Sequence, residues 1–182
     1  DHYGGVAAVE ALADAANIWR GQHVLDVCCG MGGPARWIAS KIACRVTGLD
    51  LTASRIEGAR RLTSRVRLDD LVDFQQGDAT RMPFRDASFD ALISQEAWCH
   101  IPEKAALIIE CSRVLKRGGS IAFSDIVVIG DLPLEDEKRL ASGMQIPRPA
   151  TTEQYKVLLG DSAVKIRIID DVSSDWRQIL LA

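Results

Sequence analysis

Hydrophobic and polar positions along this chain switch repeatedly between a helical period and the short runs of strands. Val6, Val9, Leu12 and Ala16 recur at helical spacing, which predicts an amphipathic helix over residues 6–18, ended by Arg20-Gly21-Gln22. A compact β-branched run at 24–28 then reads as a buried strand. Gly30, Gly32, Gly33 and Pro34 break the pattern, and a helix over 34–42 keeps Trp37, Ile38 and Ile42 on one side. Residues 44–49 read as a second strand ending at Asp50. Ser54 and Glu57 have capping-box spacing and predict a helix running to Arg67. A third strand over 72–75 closes in Gly77-Asp78-Ala79-Thr80, and after a turn-rich stretch a fourth is expected over 89–94. Pro102 opens a helix with Leu107, Ile108, Cys111, Val114 and Leu115 on its apolar face, and Gly118-Gly119 reads as its C-cap. Residues 120–129 form a long fifth strand. Beyond it come a polar helix over 132–144, a break at Pro147 and Pro149, a helix over 151–159, a sixth strand over 164–169 and a short helical tail.

Strands alternating with helices predict parallel pairing through right-handed crossovers, hence an α/β fold with a doubly wound, mainly parallel, Rossmann-like sheet. Ligands of such sheets sit beyond the carboxyl ends of the strands. That rule gathers residues 26–33, Asp50, Asp78 and residues 95–100 into one neighbourhood, although they are scattered in sequence. The first loop suits a nucleotide: its glycines allow positive φ and close approach, and Pro34 fits the first turn of a helix whose free N–H groups favour an anion.

The 182 residues make one ordinary domain, expected over 1–182. With 22 basic and 25 acidic residues the net charge is −3, and no basic run offers a footprint for nucleic acid. No apolar stretch approaches a membrane span, and the first residues lack the pattern of a signal peptide. The five cysteines, Cys28, Cys29, Cys44, Cys99 and Cys111, form no CxxC pair and no zinc-ligand spacing. No metal site is expected, and a reducing cytoplasm is the economical reading. Oligomeric state is not legible.

Two nucleotide families fit the first loop. Gly30-x-Gly32-x-x-Ala35 satisfies the dinucleotide fingerprint, with Asp50 some 20 residues on for ribose hydroxyls. Gly77-Asp78-Ala79 favours another reading, because a carboxylate there can accept from an adenine amino group while Ala79 leaves room for the ring. With this motif in view the chain resembles the class I S-adenosylmethionine-dependent methyltransferases. Val24-Leu25-Asp26-Val27-Cys28-Cys29-Gly30-Met31-Gly32-Gly33 resembles the family's first motif, and Asp50 falls where its ribose-binding acid stands. Gly77-Asp78-Ala79 with residues 82–90 resembles the adenine-side motif, and Leu115-Lys116-Arg117-Gly118-Gly119 the turn before strand five. Cys28 departs from the pattern, standing where the family commonly has glycine. The family's final strand, the seventh, has no counterpart after Trp176.

The resemblance implies S-adenosylmethionine as cofactor. Gly30 and Gly32 would give it backbone contacts, and Asp26 would orient the loop near its ammonium, beside Cys28. Asp50 would bind the ribose diol, Leu51 would pack on adenine, Asp78 with the Ala79 amide would read the adenine edge, and Gln95 would lie under the methionine part. His100 is the candidate base. Tyr3, in an N-terminal lid over 1–20, and Met144 with Ile146 and Pro147, in a cap over 130–160, are candidate substrate contacts; Trp98 reads either as a face for a cationic amine or as a buried aromatic. Tyr3-Gly4-Gly5 and the run from Glu96 to Lys104 are most similar to small-molecule enzymes, including the sarcosine/dimethylglycine N-methyltransferases. The partner expected is therefore a small-molecule methyl acceptor, first an amine of that series, with C- or O-methylation of a hydrophobic metabolite as the alternative. A cofactor-binding module without turnover and a dinucleotide oxidoreductase are the remaining readings.

Overall fold

A computed structural model describes residues 4–174. Five parallel strands form one sheet in the order β3-β2-β1-β4-β5: β1 (His23–Val27), β2 (Arg45–Asp50), β3 (Val72–Gln76), β4 (Phe89–Gln95) and β5 (Leu115–Ser124). Helices α1 (Gly5–Ala15), α2 (Gly33–Ile42) and α3 (Ala53–Arg65) cover one face, and α4 (Lys104–Val114) and α6 (Thr152–Gly160) the other. Alternation along β1 explains the two layers. Val24 points into the core shared with α1 to α3, whereas Leu25 and Val27 point into the core shared with α4. Strand order reverses between β1 and β4, so the crevice at their carboxyl ends is the place where such a sheet takes a ligand.

Four local expectations are corrected. The helix after β2 begins with Thr52 as N-cap and without a side-chain cap, so Ser54 and Glu57 form no capping box. The Asp50 carboxylate accepts from the Thr52 N–H at 2.9 Å and starts the helix two residues early. Gly118-Gly119 is not a C-cap. Helix α4 stops because Leu115 turns extended and pairs with Phe89, and the glycines lie in a bulge between Leu115 and Ser120. Gly118 has φ +80°, and a Cβ on Gly119 would stand 2.7 Å from the Asp90 carbonyl. The fifth strand ends at Ser124 instead of running to 129. Residues 164–169 form no strand, because alternation supplies a face but no hydrogen-bond partner, and this stretch is mostly exposed and unladdered. The expected tail around Trp176 lies outside the described residues.

From residue 130 to 150 the chain makes an excursion closed at its base, where the Val128 N–H donates to the Ala150 carbonyl at 2.9 Å and Val128 bridges Thr151. It holds a short helix, α5 (Leu134–Arg139), which runs into a π-helical turn over Leu140–Met144. Ile146 is the apolar plug that seats it, being fully buried. Thr151 and Gln154 then form the capping box that starts α6.

Candidate cofactor and acceptor site

The glycine loop leaves β1 through a left-handed residue. Cys28 has φ +62°, followed by Gly30 at +53° and Gly32 at +73°. Two backbone bonds fix the loop, from the Cys29 N–H to the Leu49 carbonyl and from the Gly32 N–H to the Cys29 carbonyl, each 2.9 Å. Among the described residues, its chain neighbours apart, no atom lies within 4 Å of where a Gly30 Cβ would stand. Cys28 and Cys29 serve opposite layers: Cys28 packs against the α4 core, and Cys29 belongs to the α1–α3 core.

Asp26 sits at the head of α2 with 2% of its surface exposed. The Ala35 amide donates to its carboxylate, but Oδ2 is buried with no partner among the described residues. Burial is the main cause that pushes its pKa up to about 7; the Ala35 bond opposes the shift and the Asp50 charge adds to it. A buried carboxylate oxygen without a donor is a seat for a cation. Asp50, buried at the end of β2, accepts from the Gly30 N–H and the Thr52 N–H, both at 2.9 Å. It thus ties the first loop to the second. A carboxylate has roughly four lone-pair sites, so about two remain for a diol. Leu51, next along, is 68% exposed, and Ala79 is buried across the crevice in the core shared with Leu49. Asp78 is exposed, its Oδ1 receiving the Thr80 N–H and hydroxyl in a tight turn at 2.8 and 2.7 Å. Gln95 is buried at the end of β4, paired in register with Ser124.

Carboxylates surround the crevice. Burial first, then the charges of Asp50, Asp26, Asp78 and Asp125, push the Cys28 thiol up to about 12. They do not converge closely enough to make a metal-ligand group among the described residues. Sequence reasoning missed Asp125, which directly follows β5. It accepts from the Cys99 N–H at 2.7 Å and from the Tyr155 hydroxyl at 2.5 Å, and burial raises its pKa. Its one sequence signal was its place just beyond a strand end, hidden because that strand was expected to continue.

The acceptor-side candidates fare differently. Of the two readings of Trp98 the structure has the buried aromatic and not the substrate contact: only 1% exposed, it stacks on Phe123 at 3.9 Å with Tyr155 beside both rings. The 3₁₀ turn Trp98–His100 tucks the indole into the core, so it backs the site instead of facing an acceptor. His100 is exposed, and its Nδ1 lies 2.9 Å from the Gln145 carbonyl. A carbonyl only accepts, so Nδ1 carries the hydrogen of this contact. Met144 is exposed at the end of the π-helical turn. Tyr3 lies outside the described residues.

Residues 25–123, more than half of the chain, match a family described as a methyltransferase domain. The chain is 41% identical over 161 residues to the sterol 24-C-methyltransferase of Saccharomyces cerevisiae, covering 87% of this chain and 39% of that protein. It superposes on the phosphoethanolamine N-methyltransferase 2 of Haemonchus contortus in complex with S-adenosylmethionine with a TM-score of 0.89 and 26% identity, covering 99% of this chain and 42% of that one. A sarcosine dimethylglycine methyltransferase-like structure from Galdieria sulphuraria gives a TM-score of 0.82 at 23% identity, over 89% of this chain and 63% of that one, a likeness of fold alone. The chain spans less than half the length of the sterol enzyme and of other curated relatives such as the methyltransferase GfsG of Streptomyces halstedii. With a parallel sheet of this order, a glycine loop at its switch point and acids at the ends of β1 and β2, the chain belongs to the class I methyltransferases, the family whose methyl donor is S-adenosylmethionine.

Proposed function

We propose that the chain transfers a methyl group from S-adenosylmethionine to a hydrophobic small molecule, at carbon or oxygen. The residues present suit that cofactor: Asp26 Oδ2 for its ammonium, the open Gly30 backbone for the methionine part, Asp50 for the ribose, and Leu51, Asp78 and Ala79 for adenine. Bound there, the cofactor supplies an electrophilic methyl: the acceptor's electron pair forms the new bond to carbon, the carbon–sulfur bond breaks with its pair left on sulfur, and the acceptor loses a proton. The protein's contribution is alignment and exclusion of water. To His100, whose Nδ1–H is donated to the Gln145 carbonyl, we assign the role of taking that proton on Nε2.

The observation that carries the hydrophobic acceptor is the 41% identity to a sterol methyltransferase, which extends over 87% of this chain. The aromatic layer of Trp98, Phe123 and Tyr155 behind the crevice accords with it. An amine of the sarcosine series is the second reading. It is favoured by Asp125, the carboxylate just beyond β5 that the cofactor assignment leaves unused and that suits a cationic acceptor. The test is methyl transfer from labelled S-adenosylmethionine to a panel holding a sterol with a side-chain double bond, a terpenoid alcohol, sarcosine and dimethylglycine. Label in the organic-soluble acceptors supports the first reading. Label in the amines alone replaces it by the second. Thermal stabilisation by S-adenosylhomocysteine with no labelled product from any of them would point to a binding module.

A further inference from the structure

Between β3 and β4 the chain must carry Asp78 and Ala79 to the adenine side of the crevice without a strand or helix to hold them. The near end of this loop is fixed by the Gly77 N–H, which donates to the Asp50 carbonyl at 3.0 Å. Asp78 is turned locally by Thr80, and its carbonyl receives the Arg81 N–H at 3.0 Å. The far end is fixed from outside. Glu110 Oε2, on α4, accepts the Met82 N–H at 2.6 Å, and the Arg113 guanidinium, one turn on, donates to the Met82 carbonyl at 3.1 Å. Both backbone groups of one residue are therefore held by a single ion pair, Arg113 to Glu110, closed by two bonds of 2.7 Å. The same guanidinium donates to the Phe84 carbonyl and to Asp86 Oδ1, both at 2.8 Å. The pair is only partly exposed, and the arginine's hydrogen bond is the main cause holding the Glu110 carboxyl below its usual range.

The span from Gly77 to Met82 is thus pinned at the ribose acid on one side and at the Arg113–Glu110 pair on the other. Ala79 and Met82 are buried between these pins, in the core that includes Leu49, so their side chains cannot relocate without opening it. A fork with this many directed donors is a property of arginine; lysine offers one compact ammonium and cannot reach Met82, Phe84, Asp86 and Glu110 together.

We propose that Arg113 and Glu110 are positioning residues for the cofactor: by clamping Met82 they set the loop in which Asp78 reads the adenine amino group, and so they determine purine selectivity from a helix that touches no ligand. This rests on the assignment of S-adenosylmethionine to the crevice.

The experiment measures, by calorimetry, the affinities of S-adenosylhomocysteine and of S-inosylhomocysteine, whose purine carries an oxo group in place of the amino group. Wild type, Arg113→Lys and Glu110→Gln are compared well below their unfolding temperatures. Wild type is expected to prefer the adenine compound at least tenfold. In Arg113→Lys that preference falls to threefold or less while S-adenosylhomocysteine binds at least tenfold more weakly; Glu110→Gln, which keeps an acceptor for Met82, falls between. A loss of stability alone lowers the unfolding temperature and leaves the ratio of the two affinities unchanged, so an intact ratio in the folded variants overturns the proposal. If Arg113→Lys does not fold, Glu110→Gln decides: an unchanged ratio there refutes the clamp. Wild type binding neither compound would instead overturn the cofactor assignment, and the clamp with it, an outcome distinct from variants that bind with wild-type selectivity.

Discussion

Asp26→Asn separates the cost of the glycine-loop carboxylate from its use. In the folded chain Asp26 has a pKa of about 7 against 3.8 for the free side chain, a difference of about three units. A group whose folded pKa is raised binds more protons in the native state between those values, so stability is present below the unfolded pKa and lost as pH rises towards 7. At about 1.4 kcal/mol per unit, the ionised carboxylate costs up to ~4 kcal/mol at pH 8 in the absence of ligand. Asparagine keeps an acceptor for the Ala35 amide and removes the charge. Its amide N–H groups stand where Oδ2 has no partner, a penalty of ~1–3 kcal/mol. The variant should therefore be about 1–3 kcal/mol more stable than wild type at pH 8, a gain of several degrees in Tm for a domain of this size, and no more stable at pH 4. Calorimetry with S-adenosylhomocysteine should show the opposite sign: losing a charge-assisted bond to the ammonium weakens binding by roughly 1.5–3 kcal/mol, about ten- to a hundredfold. Urea unfolding across pH and titration at pH 8 measure both. A variant that is no more stable than wild type at pH 8, or that binds the ligand equally well, would refute the account of Asp26 as a buried carboxylate awaiting a cation.

Two further outcomes follow from the loop geometry. At Cys28, φ of +62° strains any side chain, most of all a β-branched one, so Cys28→Val should be at least ~1–2 kcal/mol less stable than Cys28→Gly in urea unfolding; equal stabilities would contradict the left-handed backbone. Asp50→Ala should cost both binding and fold, because it strips acceptors from the Gly30 and Thr52 N–H groups at ~1–3 kcal/mol each, whereas Asp50→Asn should retain most of the stability and still weaken S-adenosylhomocysteine. Calorimetric affinity unchanged in both variants would remove Asp50 from the ribose site.

Local pattern determined a large part of this protein. The apolar runs at 24–28, 44–49, 72–75 and 89–94 are buried on alternating or both faces and need no distant information to be read as strands. Their order with the intervening helices fixes a parallel doubly wound sheet. Since ligands of such sheets gather at the carboxyl edge, the same pattern assigns Asp26, Gly30, Asp50 and Asp78 to one crevice. The glycines and Pro34 mark backbone conformations, which are properties of single residues.

What only the tertiary structure decided depends on partners far away in sequence. Residues 164–169 alternate like a strand, yet a strand exists only when another backbone supplies its hydrogen bonds, and none does so among the described residues. Gly118-Gly119 has the composition of a helix cap, but the approach of Asp90, 29 residues earlier, makes it a bulge. Trp98 is legible from sequence as a buried aromatic as well as a substrate contact, and its stacking on the ring of Phe123 decides for the core. Asp125 falls inside the stretch that patterns as the fifth strand and Arg113 within the helix before it, and nothing local marks either; their partners Tyr155 and Met82 stand 30 and 31 residues away. Periodicity reports which face of an element is buried. Which charged group closes which loop is settled when the layers pack and each buried donor has to find an acceptor.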